Sequence, residues 1–569
     1  MAKCSYVYIS SPRPTAFARL PRVFAAVYAA LGLAACGALF CCNAAVTLAG
    51  IFQNDMVMQR NMQVPVWGRA SAGENITVTF GGQTKTTAAS ADGSWSVKLD
   101  PLAASATGRP MSVKGTNTIV VNNVVVGEVW LCAGQSNMAL RPGWGTTDYY
   151  LDSLGNANYP LFRQTEVESA PPWIVCNPQN VWDFSTVGYF FGRDLLLSLG
   201  QQVPVGLILT AYGATMIEQW MKNSGGDRYD CCVKPVEGYA MRGIAWYQGE
   251  NNTNNGSEYA ALLVSFIREW RANWKQDSLA FLIVQLPNYD QLQTIPVEQD
   301  NGIMEVREGQ MLSVAQPHTG LAITIDMTDA NPADLHPLEK WVAGSRLALW
   351  AEHMVYGKQG FVYSGPLFRS MSVRGSRAYL RFYHAGAGLR AEGATLNGFA
   401  VCGPDSHFVW ATARAMGDSV EAYSSQVAQP VAVRYGWASN PVGNLYNSAG
   451  LPASPFRTDG PRLPEGLFED SIRTSVAHQC QPSSLRLPPV LPCMRRGIRG
   501  DWWEVSAPAA SMITVSTANG QCVLQTRTNQ NGTCTIAASA LRPGVHFIRC
   551  RHADGHADDG VRAVIMDLR

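Results

Sequence analysis

The chain has 569 residues, 47% hydrophobic and 15% charged, which supplies apolar material for several packed cores and excludes a disordered chain. Lys and Arg number 44 against 43 Asp and Glu, so the net charge is +1. No global field therefore draws the protein to nucleic acid or to an acidic membrane surface.

Before Asp55 the only charges are Lys3, Arg13, Arg19 and Arg22, and Val23–Gly50 carries none. A basic segment, an apolar segment and the small residues Asn43, Ala44 and Ala45 predict a secretory signal peptide over 1–45. A retained anchor and a lipidated Cys36 after Leu33-Ala34-Ala35 are the alternatives. Cleavage leaves no stable membrane insertion, and the expected location is secreted, periplasmic or cell-surface. Ten cysteines follow the leader, an even number compatible with disulfides whose pairing the sequence does not reveal. Cys132 is expected to be a free buried thiol. No cysteine or histidine spacing suits a metal, so neither metal nor cofactor is expected.

Residues 46–122 read as a small β-sandwich, with alternating strands such as Asn75–Phe80 between glycine turns. Residues 123–354 change character. Apolar runs of strand length (Val124–Leu131, Val205–Leu209, Gly243–Trp246, Phe281–Leu286, Leu321–Ile325) alternate with helical patterns over Val187–Leu199, Ser257–Lys275 and Leu338–Met354. This predicts an α/β domain whose parallel sheet is flanked by helices. Short strands return in a second β domain over 355–460. Prolines mark a linker over 461–500. A final β-sandwich occupies 501–569, where Asn519-Gly520 is a hairpin signal.

Ligands of an open α/β sheet bind beyond the carboxyl ends of its strands. The first strand is followed by Gly134-Gln135-Ser136-Asn137-Met138, the second by Tyr212-Gly213-Ala214-Thr215 and the third by Gln248-Gly249-Glu250. The last is followed by Asp326 and then Asp334-Leu335-His336-Pro337. A serine, a glycine, an amide and a histidine are the parts of an acyl-transfer site. Ser136 needs an adjacent base, and His336 is the best placed of nine histidines. Asp334 either orients the His336 ring or caps the following helix, with Asp326 and Asp329 as substitutes. The N–H of Ser136, the N–H of Gly213 and the side-chain amide of Gln248 are candidates for an oxyanion hole. Gln135, Asn137 and Glu250 are supporting residues.

Taken together, Gly127–Met138, Trp246–Glu250 and Asp334–Pro337 resemble three blocks of the sialate O-acetylesterase family, which belongs to the SGNH-type hydrolases. Ile51–Gly68, Arg434–Trp437 and Asn440-Pro441 extend the resemblance over roughly 46–460. It implies an SGNH-hydrolase-like fold and a Ser136/His336 esterase that removes O-acetyl groups from sialic acid or a sialoglycan. Gly213 and Gln248 match the oxyanion positions. Two alternatives stand beside it: an acetylesterase acting on plant polysaccharide such as acetylxylan, and a carbohydrate-binding surface protein with an inactive hydrolase core. The sequence departs from the family at Ala214, where relatives often carry a second glycine, and around Cys231-Cys232, and its D-x-H spacing differs from the D-x-x-H of many SGNH enzymes, which leaves a Ser–His pair supported by a backbone carbonyl as an alternative. Residues 501–569 loosely resemble the sorting domains of bacterial type IX secretion.

Overall fold

The computed structural model describes residues 45–144, 150, 154–168, 172–299, 302–327 and 334–468, and the strand backbones between 493 and 566. The signal-peptide reading falls outside these residues apart from Ala45, as do Asp329 and most of the proline-rich linker.

Eight strands come first: Thr47–Leu48 (β1), Val57–Gln59 (β2), Val64–Arg69 (β3), Asn75–Phe80 (β4), Gln83–Ala88 (β5), Ser94–Leu99 (β6), Ser105–Lys114 (β7) and Thr118–Gly134 (β8). β8 is 17 residues long and crosses the expected boundary at 122/123. Its first half pairs with β7 and presents alternate residues to solvent, as a one-sided sheet requires. Its second half is buried throughout and lies between two parallel partners. One hydrophobic core therefore runs from Val46 through this strand into the α/β layer.

Six more strands follow: Tyr159–Glu166 (β9), Ile174–Cys176 (β10), Val205–Ala211 (β11), Gly243–Tyr247 (β12), Ala280–Val284 (β13) and Thr319–Ala322 (β14). Their order in the sheet is β10-β9-β11-β8-β12-β13-β14, and every pairing on this path is parallel except β10 with β9. With the N-terminal strands attached, the sheet has 11 strands and is mixed rather than purely parallel.

Helices Ser136–Ala139 (α1), Thr186–Ser198 (α2), Gly256–Trp274 (α3), Gly302–Leu312 (α4) and Lys340–Trp350 (α5) connect these strands. α2 begins at Ser185, whose hydroxyl accepts the N–H of Gly188. α3 buries Leu263, Phe266, Ile267 and Trp270 at helical spacing, and Phe266 meets Trp246 of β12 with ring centroids 4.3 Å apart. The Leu338–Met354 pattern resolves into α5 followed by a wider turn over Ala351–Val355.

Ten strands from Leu367–Arg374 to Phe456–Arg457 build the second β region, with its own core around Phe368, Phe399 and Phe456. The described start of the expected linker is packed against this region. Leu463 is buried, Tyr383 donates to the Pro464 carbonyl at 3.0 Å, and Phe468 rests on the rings of Tyr383 and His384. Seven strand backbones are described between Cys493 and Met566, in sheets of three and four. Cys231 and Cys232 form a disulfide between neighbours, while Cys132, Cys176 and Cys402 are buried free thiols. Burial pushes the Cys132 thiol up to about 12.

Candidate active site

Parallel pairing brings the carboxyl ends of three strands level. Gly134 of β8 is in register with Ala211 of β11 and with Tyr247 of β12. The chain leaves β8 through Gly134, whose φ is +143° and where a Cβ would lie 2.1 Å from the Tyr247 carbonyl oxygen. Only glycine fits that approach. Gln135 then donates its N–H to the Tyr247 carbonyl at 3.0 Å, and Ser136 opens the single turn of α1.

His336 faces Ser136 across this edge. Its Nε2 lies 2.9 Å from Ser136 Oγ, and its Nδ1 lies 3.2 Å from Asp334 Oδ1. The same Asp334 oxygen accepts the backbone N–H of His336 at 2.9 Å. Helix α5 is capped at Glu339, so Asp334 is not its N-cap. Asp326 is bound bidentately by Arg346, at 2.6 and 2.7 Å, which removes it as a substitute partner for the imidazole. Serine, histidine and aspartate thus lie at successive hydrogen-bond distances, an arrangement of the kind that activates a serine hydroxyl.

Gly213 also lies beside Ser136: a Cβ built on it would sit 3.7 Å from the Ser136 Cβ. No acceptor among the described residues takes the N–H of Ser136 or of Gly213. Two open donors beside a nucleophile suit a developing oxyanion. Ala214 is the position where the resemblance leads one to expect a second glycine. Its φ is +55°, a left-handed conformation that any Cβ makes costly.

Gln248 departs from the expectation. It is fully buried, and its amide nitrogen donates to the Thr215 carbonyl at 2.9 Å and to Asn252 Oδ1 at 2.7 Å. Its amide oxygen accepts from the Tyr259 hydroxyl at 3.0 Å. Both amide hydrogens are spent, so this side chain offers none to an oxyanion. It ties the Gly213–Thr215 loop to β12 instead.

Asn137 joins the remaining pieces. Its Nδ2 donates to Glu250 Oε1 at 2.5 Å and to the Leu335 carbonyl at 3.0 Å, and its Oδ1 accepts from Lys340 Nζ. The nucleophile turn, the β12 end, the histidine loop and the start of α5 therefore meet at one amide. Lys340 and Asn137 are fully buried. Glu250 Oε2 is buried without a described partner. Burial raises the Glu250 carboxyl above the usual carboxylate range, opposed by the Asn137 hydrogen bond and by the charges of Lys340 and His336. Gln135 accepts the Gly249 N–H at 3.4 Å.

The sequence reading missed Lys340, Gln310 and Arg307. Gln310 donates to the Gln248 carbonyl and accepts from the Leu286 N–H. Arg307 is fully buried and donates to the carbonyls of Leu286, Pro287, Ala438 and Ser439. A lysine opening α5, at a buried position of an otherwise apolar face, was the available signal.

Residues 126–340 match the family model described as carbohydrate esterase, sialic acid-specific acetylesterase. The human sialate O-acetylesterase is 26% identical over 489 residues, covering 72% of this chain and 91% of its own. The mouse sialate O-acetylesterase is 25% identical, covering 72% of this chain and 93% of its own. A solved structure of a carbohydrate acetylesterase from Xanthomonas citri is 35% identical, covers 73% of this chain and 99% of that one, and superposes with a TM-score of 0.67. With three matching motif blocks gathered at one sheet edge and this likeness along the full length of a solved relative, the chain belongs to the sialate O-acetylesterase family of carbohydrate esterases and is an esterase.

Proposed function

We propose that the protein hydrolyses O-acetyl esters of sialic acids through an acetyl-serine intermediate. The observation that carries this reading is the 2.9 Å contact of His336 Nε2 with Ser136 Oγ. Ser136 Oγ attacks the acetyl carbonyl while His336 Nε2 takes its proton. The oxyanion is held by the N–H groups of Ser136 and Gly213. Collapse breaks the ester C–O bond, and His336 returns the proton to the departing sugar oxygen. Water then attacks the acetyl-enzyme with His336 as base, releasing acetate and restoring Ser136. Asp334 holds the ring with Nε2 toward Ser136. The fold that carries this chemistry is of the SGNH-hydrolase type.

The substrate reading draws on the sialic acid-specific family model and the mammalian sialate O-acetylesterases. A second reading, an acetylesterase on neutral carbohydrate, is favoured by the Xanthomonas citri relative, described as a carbohydrate acetylesterase. Acetate release from O-acetylated sialoglycan and from acetylxylan, by wild type and Ser136→Ala, tests both. Sialoglycan turnover abolished by the substitution supports the proposal, and turnover confined to acetylxylan replaces its substrate. Secretion behind the 1–45 leader belongs to the same proposal, and the N-terminal sequence of the exported protein tests it.

A further inference from the structure

A cleft of about 490 Å³ opens beside the histidine loop. Its lining includes Glu250, Leu335, Asn254, Tyr289, Gln299 and Ser439 of the second β region. That volume falls within the range of small-molecule sites, roughly 300–1,000 Å³. Its position follows from the reaction. His336 must reach the departing oxygen, so the departing sugar lies on the histidine side of Ser136. Leu335 precedes His336, and its carbonyl is bonded to Asn137 beside Ser136.

The walls are braced from behind. The Arg307 guanidinium donates to carbonyls of two separate loops, at Leu286 and Pro287 and at Ala438 and Ser439. Glu298 Oε2 accepts the N–H and hydroxyl of Ser439. Arg307 is thereby committed to structure and does not itself line the cleft. Among the described lining residues there is no lysine or arginine, and Glu250 is the one charged residue. Asn254 and Gln299 are exposed amides, and Tyr289 supplies an aromatic face. Amides, a hydroxyl, an aromatic ring and a carboxylate suit a hydroxylated, uncharged ligand. A second carboxylate would meet Glu250 with no lysine or arginine among the described lining residues to pair with it.

We infer that this cleft is the subsite for the departing sugar and that it takes an uncharged polyhydroxyl surface; the inference rests on the Ser136/His336 reading. A sialic acid bound here turns its carboxylate out of the cleft, away from Glu250.

The test uses the full-length enzyme, a small aryl acetate, an O-acetylated methyl hexoside and the matching O-acetylated hexuronide. The double variant Asn254→Ala/Gln299→Ala loses hydrogen bonds to the sugar, worth about tenfold or more in KM for the hexoside. The aryl acetate, which does not fill the cleft, keeps its kcat/KM. The wild type prefers the hexoside to the hexuronide, and Gln299→Lys narrows that preference. An unchanged hexoside KM in the double variant, or equal use of hexoside and hexuronide by the wild type, overturns the inference. Ser136→Ala assayed in parallel separates the two failures. If it retains turnover, the catalytic reading falls, and if it is inactive while the cleft variants behave as wild type, the subsite assignment alone falls.

Discussion

Replacing Asn137 with alanine tests whether one amide holds the site together. The substitution removes the donor to Glu250 Oε1 and to the Leu335 carbonyl and the acceptor for Lys340 Nζ. All three partners meet a fully buried residue, and Lys340 is itself fully buried. An unpaired buried polar group costs about 1–3 kcal/mol, more when it is charged. Breaking a buried ionic arrangement by removing one member costs about 3–5 kcal/mol. A stability loss on the order of 3–5 kcal/mol is expected for the combined change. Release of Leu335 also frees the adjacent His336 to drift from Ser136, and a misplacement of about 1 Å is worth about 10²-fold in rate. Urea unfolding gives the stability, and kcat on a small acetyl ester, at a temperature where the variant is folded, gives the positioning effect. A variant within about 1 kcal/mol of wild type and with near-normal kcat would refute the network's role, since ordinary surface changes fall in that range.

Four further outcomes follow from the geometry. His336→Ala should be as damaging as Ser136→Ala, with Asp334→Asn milder because that carboxylate is half exposed; kcat/KM for the three variants checks this. Ala214→Gly should stabilise the fold by up to about 1 kcal/mol by relieving the left-handed backbone, read as a higher Tm. Gln248→Ala should lower both Tm and kcat, because it removes hydrogen bonds to Thr215 O, Asn252 and Tyr259 and loosens the Gly213 loop; an unchanged Tm with lowered kcat would restore it as a direct oxyanion donor. Glu250 has a folded pKa above its ordinary 4.5, so its contribution to stability is present below the unfolded pKa and is lost as pH rises through the folded one. The Tm of Glu250→Gln should therefore gain on wild type as pH rises from acid to neutral, and a constant difference would contradict the assigned shift.

Much of the site was legible because its parts sit in short motifs at strand ends. Ser136, Gly213, Asp334 and His336 could be named from the residues that follow apolar runs, and the structure places them together. Their supports were hidden by distance along the chain. Asn137 meets Glu250, Leu335 and Lys340 across separations of 113, 198 and 203 residues, which no local pattern encodes. Gln248 was misjudged for the same reason, since the groups that consume its amide lie on other elements. β9 escaped notice because Arg163, Gln164 and Glu166 break its apolar run. Buried Arg163 donates to the backbone carbonyls of Asp55 and Asn123, which only the fold supplies. α4 was missed for a like reason: Arg307, Glu308 and Gln310 are buried in it, so its burial does not follow hydrophobicity. β8 was read too short because its two halves follow different rules, alternation where one face is wet and continuous apolarity where both are covered.

The central claim is that acetate leaves through an ester on Ser136. Mass analysis of enzyme quenched during turnover of an excess of acetyl ester measures this directly. The account predicts an acetyl group on the peptide containing Ser136, formed and lost at rates that match turnover and absent in Ser136→Ala. An acetyl group on another residue, or wild-type acetate release by Ser136→Ala, would contradict it.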